Sequence, residues 1–235
     1  MLLSRWMDVF LVPLGRDRYE LYSEQPVELD SDADAPSPGI IGRSLQRFSA
    51  LLRAAEERER VREAAGVDET KGWLARLQDR FLAWVVERVA EQRLLWNLRG
   101  KTTAVVQHPQ DMTFDQVMAL VRTGLQRDYD RHRMWLVIDF LGMVASAVLT
   151  PIPGPNVLGF YFTFRVGGHY LSMRGAAQGL HRITWSGRAS PPLGELRDVV
   201  LLEPSAREER IQDIAGRLRL QHLSTFFARM AVRPA

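Results

Sequence analysis

Residues 134–164 read MWLVIDFLGMVASAVLTPIPGPNVLGFYFTF, and the fold turns on how this stretch is read. Its two arms are apolar, and Asp139 carries its only charge. Between the arms stand Pro151, Pro153 and Pro155, followed by Asn156. Each proline lacks a donor N–H and fixes φ, so a continuous helix cannot pass through them. The chain must reverse there, and the stretch reads as a helical hairpin with a proline turn. Such a hairpin belongs either inside a soluble helical core or against a bilayer. Two neighbouring arms that are apolar all round favour the bilayer. The first arm, 134–150, is near the lower limit for a span of about 20 residues. A full crossing, a re-entrant hairpin and a shallow one all fit these lengths.

The flanks carry arginine. Arg122, Arg127, Arg131 and Arg133 precede the first arm, and Arg165, Arg174 and Arg182 follow the turn. Basic residues at both ends would hold both ends on one side of a membrane. Counting outward from a turn centred near residue 153 places Asp139 opposite 165–169. Arg165 and His169 stand there, four apart on one helical face. An acid in an apolar segment needs a partner or a water path. The residues therefore predict an ion pair that fixes the hairpin, with a proton-handling group as the sharper alternative.

Working outward, WMDVFLVPLGRDRYELY predicts a β-hairpin turning at Gly15–Asp17, with Val9, Leu11, Tyr19 and Leu21 on the strands. An acidic, proline-bearing linker follows at 30–39. Apolar residues at helical spacing predict helices over 40–65 and 69–98. TTAVVQHP (102–109) reads as a strand. Thr113 and Gln116 form a capping box for a helix running to Thr150. A second helix is predicted over about 155–180. HRITWSG reads as a strand and PPLGELRDVVLL as a short helix or strand. A capping box at Ser205 opens a terminal helix. The fold class is mainly α, with a small N-terminal β element and a central proline-broken hairpin. Three sections follow: 1–110 with the β-hairpin and amphipathic helices, 111–182 with the long helix and membrane-contacting hairpin, and 183–235 as a C-terminal helical segment.

Composition closes several routes. The chain has 235 residues and no cysteine, which removes disulfides and thiol catalysis. A net charge of +3 is too small to signal nucleic-acid binding. Lysine occurs only at 71 and 101, so the basic character is arginine. Gly100-Lys101-Thr102 ends like a phosphate-binding loop, but Leu95 stands where that motif needs its first glycine. The five histidines show no metal spacing, and His132, beside Asp130 and Arg131, reads as solvated. Asp128 and Asp130 do not share a helix face. No catalytic, cofactor or metal site is expected, and the chain does not read as an enzyme. Residues 1–13 read as part of the mature chain rather than as a signal peptide.

The segment RDYDRHRMWLVIDFLGMVASAVLTPIPGPNVLGFYFTFRVGGHYLSMRGAAQGL (127–180) resembles the mitochondrial K+–H+ exchange-related family. The residues that carry the likeness are Pro155, Asn156, Gly159, Phe160, Tyr161, Arg165, His169, Tyr170, Arg174 and Gly175. The N-terminal DVFLVPLGRDRYELY is also similar, and REERIQDIAGRLRLQHLSTFFARM fits more loosely. The resemblance implies an accessory or regulatory membrane protein in K+/H+ homeostasis. Its expected partners are membrane lipids, with a homo-oligomer or an ion-exchange protein besides. Its expected place is a bacterial inner membrane, or the mitochondrial inner membrane in a eukaryote. Asp139, Arg165, His169 and Arg174 are the candidate functional residues; Pro151, Pro153, Pro155 and Asn156 form the structural turn. A soluble scaffold with the hairpin as oligomer core, and an anionic-lipid-binding module, are the rival readings.

Overall fold

In the computed structural model the described residues are 6–15, 17–25, 93–147, 157–199, 202 and 204–231. The proline turn, the acidic linker, the helix expected over 40–65 and most of that expected over 69–98 lie outside them. So does the stretch from 148 to Thr150.

The β elements join into one sheet. Strands β1 (Trp6–Pro13), β2 (Tyr19–Tyr22), β3 (Thr103–His108) and β4 (Thr184–Ala189) lie in the order β2-β1-β3-β4. β1 and β2 form the expected antiparallel hairpin, with Leu11 opposite Leu21 and Pro13 opposite Tyr19. β3 runs parallel to β1, and β4 parallel to β3. The β component is thus more than an N-terminal hairpin: it is a mixed sheet with strands from either side of the long hairpin.

β1 is its buried centre, because its side chains alternate between two cores. Met7, Val9 and Leu11 face one core with Ala104 and Val106 of β3, Trp96 and Leu98. That core is closed by α1 (Phe114–Ala147) through Val117, Val121 and Leu125, and by α2 (Val157–His181) through Leu171 and Ala176. Phe10 and Val12 face the second core. It is built by α3 (Pro191–Val199), α4 (Pro204–Leu218) and α5 (Leu223–Ala231), with Leu193, Leu196, Ile211, Ile214 and Phe227 inside. PPLGELRDV is therefore helical. α4 starts at Pro204, one residue ahead of the expected cap at Ser205; proline suits a first helical position, where its missing N–H is not needed.

The capping box at the start of α1 is closed in both directions. The Thr113 backbone N–H donates to Gln116 Oε1 at 2.9 Å, and the Gln116 N–H to Thr113 Oγ1 at 3.4 Å. With 34 residues, α1 is about 51 Å long. Its first half packs on the sheet; its second half, from Met134 on, pairs with α2 beyond it. Residues 93–98 are helical and lie hard against α2. Trp96 Nε1 donates to Ser172 Oγ at 2.9 Å, and a Cβ on Gly175 would stand 1.7 Å from the Leu95 carbonyl oxygen.

Among the described residues, no helix is long and apolar enough to cross a membrane. The expected transmembrane helix is thus not found there. α1 turns apolar only at Met134 and ends at Ala147, and α2 is interrupted by Arg165, His169 and Arg174.

Candidate functional site

The seam between α1 and α2 carries a polar row among its apolar contacts. On α1, Asp128, His132, Trp135 and Asp139 recur at four-, three- and four-residue steps, which places them on one helical face. On α2, Tyr161, Arg165, His169 and Ser172 share one face through steps of four, four and three. Antiparallel packing sets the two rows against each other.

Asp139 is the centre. It is 3% exposed, although it sits in the apolar half of α1. Its Oδ2 accepts from Arg165 Nε at 2.9 Å and lies 3.1 Å from His169 Nε2. The sequence count from the proline turn thus puts Asp139 beside the right pair. Arg165 also donates through an Nη to the Tyr161 hydroxyl at 2.9 Å, and its guanidinium lies over the Trp135 and Tyr161 rings. A buried charge needs this many partners, since its lost hydration must be replaced.

The contacts continue past His169. Its Nδ1 lies 2.8 Å from His132 Nδ1. His132 is therefore no solvated surface residue, as its charged neighbours suggest; its helical face turns it into the seam. Burial, then the charge of His169, then Arg131, push its pKa down to about 4. One turn back, burial raises Asp128 to about 6, against the pull of Arg127. Arg174 is exposed and stands outside this cluster. Pro151, Pro153, Pro155 and Asn156 lie outside the described residues. No group of three or more His, Cys, Asp or Glu among the described residues is placed to hold a metal ion.

The outer surface of the distal half of α1 is apolar. Met134, Val137, Ile138, Phe140, Leu141 and Val144 are exposed, Leu141 by 62%. At the base of the hairpin, Arg131, Arg133 and Arg174 are exposed as well, beside the half-exposed rings of Trp135 and Tyr170. Charge inside and hydrocarbon outside inverts the usual order of a helix pair in water.

A family model described as "Mitochondrial K+-H+ exchange-related" matches residues 9–183. That span runs from β1 through α2 and holds the whole cluster; β4 and the C-terminal helices lie beyond it. No curated protein and no solved structure matches the chain.

Proposed function

The chain belongs to the mitochondrial K+–H+ exchange-related family, and from that premise we propose that it is an accessory, non-enzymatic protein of K+/H+ exchange that docks on a lipid surface through the distal half of α1 and α2. The observation that carries this reading is the inverted hairpin. Its charges are satisfied in the seam, while Val137, Leu141 and Val144 face outward with nothing described over them. Intramembrane charges face a bundle interior for the same reason. The base supports the reading further. Trp135 and Tyr170 suit the headgroup level, and the exposed arginines suit anionic lipid. With no spanning helix described, the hairpin is read as dipping into one leaflet of an inner membrane.

Flotation on vesicles of mixed neutral and anionic lipid tests this. The parent protein is expected to float. Leu141→Glu with Val144→Glu sets two charges among the acyl chains, each costing on the order of 3 kcal/mol. This variant is expected to stay at the bottom of the gradient with an unchanged melting temperature, since both sites are exposed. A parent that stays off the vesicles, or a double variant that floats as well, overturns lipid docking. A parent that stays off vesicles and sediments as an oligomer gives the apolar faces to second copies of the chain.

A further inference from the structure

We propose that His132 and His169, backed by Asp139, form a two-imidazole proton-loading site in the hairpin seam, whose ligand is one proton taken from water at His132. The site deepens the exchange-related reading, on which its physiological meaning rests.

The hydrogen-bond geometry constrains the protons. Asp139 as a carboxylate only accepts, so His169 Nε2, 3.1 Å from Oδ2, carries a hydrogen. The 2.8 Å between the two Nδ1 atoms holds one hydrogen, not two and not none. In the unloaded pair, His169 Nδ1 is bare and accepts, and His132 Nδ1 donates. His132 Nε2 is then bare and able to take a proton. When it does, the Nδ1 hydrogen of His132 passes to His169 Nδ1. One N–H bond forms at His132 Nε2, one breaks at His132 Nδ1 and one forms at His169 Nδ1. The net result is one proton gained. The positive charge rests on His169 against the Asp139 carboxylate, and no ring has moved. A second proton would place two N–H groups head to head, so the pair loads once.

The surroundings agree. Among the described residues, the charged and titratable groups around the pair are Asp139 and, one turn back, Asp128 on α1, with Arg165 and Tyr161 on α2; Arg131 is exposed but its charge still reaches His132. Asp139 Oδ2 touches His169 directly and is shared with Arg165, while His132 has no carboxylate contact among the described residues and feels the charge of Arg131; the direct contact makes His169 the resting place. The basicity of His132 is depressed by burial first and by the charge of His169 second. A metal bridging the rings would hold its two nitrogens roughly 3.3 Å apart, wider than the observed spacing.

The test is a nitrogen-15 NMR titration of the histidine side chains in the full-length chain. Above the midpoint, His132 is expected as the Nδ1–H tautomer. Through a single midpoint His169 becomes an imidazolium and His132 switches to Nε2–H. A His132 tautomer that stays fixed while His169 titrates, or two independent midpoints, overturns the site. Asp139→Asn is expected to lower the His169 midpoint by about 1–3 in pH; an unmoved midpoint removes the carboxylate from the proposal. The tautomer switch is read in the parent, so a variant that does not fold leaves the test intact. A missing switch in a protein that floats on vesicles overturns loading alone. A present switch in a protein that does not float overturns lipid docking alone.

Discussion

At the scale of single residues, Asp139 is a buried charge whose stability depends on its partners. Its carboxylate is buried and held by Arg165 and His169. Removing one partner of a buried pair leaves a charge with neither water nor counter-ion, at about 3–5 kcal/mol. Asp139→Asn and Arg165→Gln should each lower the free energy of unfolding, and the double variant should lose less than the sum. Urea denaturation of the four proteins measures this; additive losses would mean that the pair does not couple. His132 makes a second forecast. Its folded pKa, about 4, lies below the ordinary 6.5. The unfolded chain thus binds a proton more readily between these values, and stability falls as pH drops through that window, by up to roughly 3 kcal/mol. Asp128, raised to about 6, works in the opposite direction over part of the window. His132→Phe should leave a variant that loses less stability between pH 7 and 4.5 than the parent, by denaturation midpoint. Asp139 and its partners are legible in the sequence because a proline turn fixes the antiparallel count. His132 is not. Its neighbours Asp130, Arg131 and Arg133 are solvent-facing, and only the rotation of α1 against α2 decides which of four polar residues points inward.

At the scale of elements, two close approaches set what the chain tolerates. Any Cβ at Gly175 meets the Leu95 carbonyl oxygen, which is backbone and cannot swing aside. Gly175→Ala should therefore force α2 away from the 93–98 helix, at about 1–3 kcal/mol or more, with a matching loss in melting temperature. An unchanged melt would show that the two helices separate at no cost. The end of α4 offers the reverse. Arg219 has φ 57°, and the Leu220 N–H reaches the Ala215 carbonyl at 2.9 Å, which closes the helix in a Schellman turn. Arg219→Gly should stabilise by on the order of 1 kcal/mol, while Arg219→Ala should not. Local pattern was enough to read β3, β4 and the Thr113 cap, since alternation and capping act within a few residues. It could not place β1 beside β3, because that pairing joins residues about a hundred apart and its cause is the shared burial of Val9 and Val106.

At the scale of the whole molecule, the sheet and its two helical layers act as a base from which the long hairpin projects. Length alone permits this: about half of α1 is spent on the core, and the rest is free to present an apolar outer surface. The sequence shows the apolar run but not its orientation, and the orientation makes the difference. An apolar core hairpin would bury Val137, Leu141 and Val144 and leave Asp139 outside; the reverse is found. The exposed arginines at the base then acquire a definite task if the hairpin enters lipid. Arg131, Arg133 and Arg174 would meet phosphate groups while the apolar side chains enter the acyl region. Each arginine near an anionic surface contributes about 1 kcal/mol, screened within a Debye length. Replacing all three by Gln should weaken binding to anionic vesicles by on the order of a hundredfold at low salt. The same variant should bind neutral vesicles like the parent, and its salt dependence on anionic vesicles should flatten. Equal affinity of parent and variant for anionic vesicles would deny the arginines this role and leave the outer apolar face as the sole contact with lipid.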